Sequence, residues 1–218
     1  MMEWLPMLLK GVWITLEITV LASLLAVLMA FVAALAKLSH WRGLRWLANI
    51  YIEVFRGTSL LVQLFWFYYV LPLPPFNLDM TSFTVAVLGL GLHIGAYGAE
   101  VVRGALQSVP RGQIEAAIAL NISLLRRFLR IVLPQALVNA IPPATNLLIE
   151  LLKGTALVSL ITMADLTFRA SQLVQLTFQS REIFGITLLL YFVLAQCINF
   201  GMRMLARRFT RGIVREQH

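Results

Sequence analysis

Apolar residues in this chain do not alternate with polar ones; they gather into long runs. A helix needs about 20 largely apolar residues to cross a hydrocarbon core. Five runs meet that length, at about 11–36, 46–71, 83–102, 142–163 and 183–205. Charge is absent throughout 18–36 and 183–202. Helices satisfy their own backbone groups in lipid, and the period-2 alternation of strands is missing. The pattern therefore predicts an all-α fold: a polytopic bundle of five transmembrane helices in one domain, 1–218. Pro72 is expected to stop the second run and Pro142 to open the fourth. The first run is too long for a signal-peptide core and lacks a basic lead-in, so it is expected to stay as a span.

Composition agrees and adds an orientation. The 218 residues are 60% hydrophobic and 13% charged, where soluble domains sit nearer half and a quarter. The net charge of +8 would suggest nucleic acid in a soluble protein. Here it comes from the loops. Lys37, Arg42, Arg45 and Arg56 fall at one side, with Arg103, Arg111, Arg126, Arg127 and Arg130, and with Arg203, Arg207, Arg208, Arg211 and Arg215. The other side holds Lys10, Arg169 and Arg181, and Lys153 lies within a run. Basic loops stay in the cytoplasm, so the N-terminus is expected outside and the C-terminus inside. The basic tail reads as membrane-flanking, next to lipid, with no nucleic-acid role. The single Cys197 cannot form an intrachain disulfide.

Polar residues inside the runs are the candidates for function. Gly91, Gly95 and Ala99 form a small-xxx-small row that lets a neighbouring backbone approach, most simply within the subunit. His93, near mid-span, either bonds a neighbouring helix or meets solute. Glu150 lies eight residues beyond Pro142, about 12 Å in at 1.5 Å per residue, with Lys153 one turn on. A charge at that depth costs about 2.5–3.5 kcal/mol on an insertion scale. Two readings stand. The pair lines a path and offers one charge to each pole of a zwitterion, or it neutralises itself as an internal ion pair. Asn146, Thr155 and Ser159 would add hydrogen bonds to such a path, or simply bond neighbouring helices. Glu53 with Arg56, and Glu100 with Arg103, are expected to be local i, i+3 ion pairs, and Glu17 to snorkel.

The stretch 108–134 is neither span nor ordinary loop. Glu115-Ala116-Ala117-Ile-Ala-Leu120 is rich in helix formers. Asn121 suits the left-handed position that ends a helix. Ser123 is expected to cap a second helix that Pro134 closes. Two short helices with a sharp corner make a rigid cytoplasmic projection joining spans three and four.

This stretch resembles the EAA signature of binding-protein-dependent ABC importer permeases through Glu115, Ala116, Ala117, Ile131, Leu133 and Pro134. Asn121 stands where that signature has glycine. Further segments resemble the polar amino acid branch (histidine, glutamate, glutamine, arginine and opine type): Glu53-Val-Phe-Arg56-Gly57-Thr58, Leu61-Val-Gln63-Leu, Tyr97-Gly-Ala-Glu100-Val-Val-Arg103-Gly and Leu151-Leu-Lys153-Gly-Thr155-Ala-Leu157. Gly154 stands where the branch usually carries Asp. Within the branch, Asn-Leu-Leu-Ile-Glu150 and Ala-Asp165-Leu-Thr-Phe-Arg169 look most like ectoine and hydroxyectoine permeases. The resemblance implies a type I importer permease of the bacterial inner membrane. It also implies the partners: a dimer of ABC ATPase subunits docked on the 108–134 elbow, a second identical or homologous permease, and an extracytoplasmic solute-binding protein.

No Gly-x-x-x-x-Gly-Lys-Ser/Thr loop occurs, so ATP is expected on the partner and no cofactor here. No metal spacing and no Ser/His/Asp set is recognisable, which disfavours a membrane enzyme. An ion-coupled secondary transporter or channel remains as the alternative. It would want an internal repeat, and none is found.

Overall fold

The computed structural model describes residues 4 to 213. The expected span positions are all helical, though their bounds differ. Helix α1 runs Leu5–Leu38, longer than 11–36, with Pro6 in its first turn where no N–H is needed. Helix α2 is Arg42–Gly57 and α3 Leu60–Phe65, the latter running on as a π-turn over Trp66–Val70. Helix α4 is Ser82–Gln107, capped by Thr81, whose hydroxyl accepts the Thr84 N–H at 3.2 Å.

Two expectations about the chain need correction. The second span is not one helix over 46–71. It starts at Arg42 and breaks after Gly57, and Leu60–Val70 leaves at 106° to the first half. Four helices are long and apolar enough to cross a membrane among the described residues, and this bent pair is a fifth candidate. The fourth span does not begin at Pro142, nor does Pro134 end a helix. Helix α6 (Leu124–Arg127), a π-turn over Phe128–Val132 and α7 (Leu133–Gly154) form one continuous rod. In the π-turn the Leu133 N–H bonds Phe128 O, so the ladder is already re-registered where Pro134 lacks its donor. Pro134 sits in the first turn of α7, and Pro142 and Pro143 lie inside it, as lipid-embedded helices tolerate. The rod ends in a 3₁₀ segment over Thr155–Ile161.

Helix α8 (Leu166–Thr177) follows, then α9 (Ser180–Ile213). Of the basic residues behind the orientation, Arg215 lies outside the described residues, and Arg211 is described by its backbone alone.

The core forms where α1 meets α4. A Cβ on Gly91 would lie 2.7 Å from Leu25, one on Gly95 2.8 Å from Met29, and one on Gly98 2.8 Å from Ala30. Ala99 continues the row against Ala33 and Ala34. The two sequences advance together, so the helices run parallel. Lipid gives no hydrophobic drive between helices, so close van der Waals approach through small residues holds this pair. Ile18, Ala22, Leu64, Val85, Leu90, Leu151 and Ile161 pack into the main cluster, which brings α1, α3, α4, α7 and the 3₁₀ segment together. A second cluster joins the start of α1 to α8 and α9 through Leu8, Leu166, Leu173 and Ile183.

Candidate functional site

The 108–134 stretch folds as an elbow. Helix α5 (Arg111–Ala119) ends at Leu120, and Asn121 takes φ 55°. The Ile122 N–H bonds Ala117 O at 3.0 Å and the Asn121 N–H bonds Ile118 O at 2.9 Å. This is the Schellman pair of bonds, formed without glycine because Asn tolerates the left-handed region. Ser123 stands at the N-cap of α6, but its side chain caps nothing; the Arg127 N–H bonds its carbonyl instead, at 2.9 Å.

Glu115 and Ala116 are exposed and Ala117 is buried. Ile118, Leu120, Leu124 and Leu125 are 56%, 74%, 74% and 66% exposed, an apolar surface with nothing among the described residues to cover it. Ile131, Leu133 and Pro134 are half-buried in the rod. Two polar pins tie the elbow down. Gln135 Nε2 donates to Gln113 Oε1 and, at 2.9 Å, to Ile131 O. Asn139 donates to Ser108 Oγ at 2.8 Å, and Ser108 donates to Ala105 O at 2.8 Å.

Helix α7 carries a second feature. Asn139, Pro142, Asn146, Glu150 and Lys153 are all exposed, and their three- and four-residue spacing puts them in one stripe. Leu151 and Leu152 are fully buried. Of the two readings of Glu150 and Lys153, the internal ion pair does not form: the ion pairs among the described residues are Lys37–Glu100, Glu100–Arg103 and Arg181–Glu182. Glu150, Lys153 and Asn146 have no side-chain bond within the described chain. Their depth is also reset. Because the rod starts well before Pro142, Glu150 lies 17 residues past Leu133, about 25 Å at 1.5 Å per residue. A Cβ on Gly154 would come within 3.0 Å of Leu90 and 3.2 Å of Leu60. The Lys153 end therefore stands level with Leu90, eight residues into α4.

Other candidates fall elsewhere. Thr155 is fully buried and donates to Leu152 O at 2.7 Å, so its hydroxyl does not face the stripe. His93 is 7% exposed and its Nδ1 lies 3.1 Å from Gln63 Oε1; it is closed off in this conformation. Ser159 bonds Ala156 O at 2.7 Å. Glu53 and Arg56 form no pair: Arg56 lies over the Tyr97 ring, 5.2 Å from its centre, a cation–π contact. Glu100 takes Arg103 and also Lys37 of α1, each at 2.6 Å, so an expected local pair is a cross-helix triad.

Two polar sites escaped the sequence. One is Gln63 as the partner of His93, whose bond to a neighbouring helix was one of its two readings. The other caps α8. Asp165, fully buried, accepts from Phe168 N at 2.9 Å and Thr167 N at 3.2 Å, with the Tyr191 hydroxyl at 3.4 Å. Loss of water pushes its carboxyl up to about 6 against the backbone bonds that favour its charge. The Leu166 N–H bonds Thr15 Oγ1 at 3.1 Å, and a Cβ on Gly11 would sit 2.7 Å from Leu166 Cα. The Asp-x-x-Phe spacing is a helix-start signal, but its links to α1 and α9 are tertiary.

Between α1, α4, α7 and α9 lies a cavity of about 350 Å³. Ala26, Ala30, Ile94, Leu147 and Met202 line it. Apolar walls leave a charged solute with no partners, so this cavity is no place for one.

A helical membrane bundle with a pinned apolar elbow and a charged stripe inside one span defines a transport subunit. Residues 15–211 match the binding-protein-dependent transport system inner membrane component family. The chain belongs to that family, as a multi-pass permease subunit of the inner membrane. It is 42% identical over 206 residues to a probable amino-acid ABC transporter permease of Sinorhizobium fredii, covering 93% of this chain and 87% of that one. It is 33% identical over 211 residues to the L-cystine transport system permease of Bacillus subtilis, covering 96% and 89%. A crystal structure of an amino acid ABC transporter with histidines superposes with TM-score 0.88 at 36% identity, over 95% of this chain and 96% of that one.

Proposed function

We propose that this permease carries a small zwitterionic solute of the amino acid class inward, with the exposed α7 face as its path. The observation that carries this reading is the unpaired Glu150 and Lys153, one turn apart on an open face within a span. Two charges left unpaired against lipid would be costly. Facing a solute with an ammonium and a carboxylate, each finds a partner. Relatives named for amino-acid and L-cystine transport support the class; ectoine and hydroxyectoine, each bearing a carboxylate and a delocalised cation, belong to the same chemistry.

Five spans, with the bent pair as the second, put the N-terminus outside and the elbow in the cytosol. A second permease, identical or homologous, covers the stripe from the other side. The apolar surface of Ile118, Leu120, Leu124 and Leu125 docks on the ATPase dimer, and an extracytoplasmic binding protein delivers the solute. ATPase closure then moves α5, and the pins at Gln135 and Asn139 carry that movement into the α4 and α7 ends. Purified complex with its ATPase and binding protein is the test. Stimulation of ATP hydrolysis by one amino acid or ectoine-type solute is expected. Stimulation only by ions, or uptake that persists without ATP under a membrane potential, would replace this reading with the secondary-transport one.

A further inference from the structure

The bent pair of helices that makes the candidate second span is cut after Gly57, and a cut helix leaves carbonyls on one half and amides on the other without helical partners. Gly57, Thr58 and Ser59 at the cut are exposed. One side chain from beyond the cut reaches back to it. Gln63 of α3 is 8% exposed, and its Nε2 lies 3.0 Å from Phe55 O, 3.3 Å from Thr58 O and 2.7 Å from Thr58 Oγ1. Carbonyls only accept, so the amide nitrogen must face them and Oε1 must face away. That oxygen meets His93 Nδ1, which fixes His93 as the donor and its proton on Nδ1.

Two further carbonyls at this end of α2 are also served. Thr58 Oγ1 donates to Val54 O at 2.7 Å, and the Tyr97 hydroxyl to Arg56 O at 3.4 Å. The cut is therefore a braced corner, tied to α4 through the buried His93 imidazole and the Tyr97 hydroxyl. It also borders the α7 stripe: Leu60, next to Ser59, packs where a Gly154 Cβ would stand, next to Lys153.

We propose that Gln63 and His93 are positioning residues that hold the Gly57–Ser59 corner in place beside the Lys153 end of the path, and so keep solute movement tied to ATP hydrolysis. The proposal rests on the reading of the α7 face as the path. Gln63→Leu removes the bonds to Phe55, Thr58 and His93, so solute moved per ATP should fall about tenfold or more. The assay is uptake and ATP hydrolysis in parallel, on the assembled complex in proteoliposomes. A preserved uptake-to-ATP ratio in Gln63→Leu would overturn the proposal, including a case where both rates fall together.

If Gln63→Leu does not assemble, His93 decides. His93→Phe should lower the ratio, and His93→Gln, which keeps a donor toward Gln63, should stay within about threefold of the parent. Equal ratios in His93→Phe and the parent would sink the idea. Glu150→Gln measured alongside separates the two readings. A silent Glu150→Gln with an uncoupled Gln63→Leu removes the assigned path and leaves the corner's role standing.

Discussion

Replacing Glu150 by Gln isolates the path from the fold. Glu150 is exposed and has no partner in the described chain, so the substitution strands nothing. Assembly and thermal stability should therefore be unchanged. The loss falls on the solute alone, whose ammonium exchanges a charged acceptor for a neutral one. A hydrogen bond to a charged group is worth about 1.5–3 kcal/mol, which at about 1.4 kcal/mol per tenfold means uptake slower by about tenfold to a hundredfold. The measurement is initial uptake in proteoliposomes holding the ATPase, with saturating binding protein outside. Basal ATP hydrolysis, without solute, serves as the control and should not move. Unchanged uptake would refute the reasoning, and a fall in melting temperature matching the loss of uptake would return Glu150 to a structural role.

Two further outcomes rest on packing and charge. Gly95→Ala places a Cβ 2.8 Å from Met29 Cβ and 2.9 Å from the Tyr51 hydroxyl, which donates to Leu92 O at 2.6 Å; overpacking of about 1–3 kcal/mol should lower the melting temperature of the purified complex. Gly104→Ala, with nothing within 4 Å, should be neutral or stabilise by about 0.5–1 kcal/mol, and equal melting of the two variants would contradict the α1–α4 packing. Asp165 has its carboxyl raised from 3.8 to about 6, so the folded state favours its protonated form. That contribution is complete below pH 4 and is lost as pH rises through 6, a span of at most about 3 kcal/mol. Asp165→Asn keeps the cap and should flatten melting temperature against pH between 4 and 7; a slope identical to the parent's would place the titration elsewhere.

The long spans were legible because their signal is sheer length. A run such as 183–202 without charge has one physical outcome in lipid. The elbow was legible for a local reason: Asn121 after a helix-forming stretch announces a left-handed corner, and the corner formed. The misses share a cause of another kind. Pro134 and Pro142 read as boundaries because proline removes a donor, yet the π-turn over Phe128–Val132 and the membrane setting absorb that loss. The cut at Gly57–Ser59 was missed because apolar residues resume at once on both sides of it; the signals were the polar Arg56-Gly57-Thr58-Ser59 break itself and Gln63, an amide in an apolar stretch that needed something to bond. The Glu150–Lys153 spacing permits a pair, but only the packing of the neighbouring helices decides whether the two side chains turn to each other or outward.

Irregular backbone in a membrane persists only where something else satisfies it, and here part of it borders the charged stripe, while the π-turn over Phe128–Val132 sits at the elbow. The Gly57–Ser59 cut, the 3₁₀ segment that takes over after Gly154, and the prolines at 142 and 143 all flank or carry the charged stripe. Away from it, α1 and α9 are unbroken helices of 34 residues each. A rigid rod transmits displacement, and a cut one lets its halves shift without unwinding a whole helix. The elbow is rod-like and pinned at Gln135 and Asn139; the stripe side is segmented and braced by Gln63. If the proposed path and docking surface hold, the subunit would be stiff where force enters and jointed where a solute passes, the division of mechanical labour that alternating access demands.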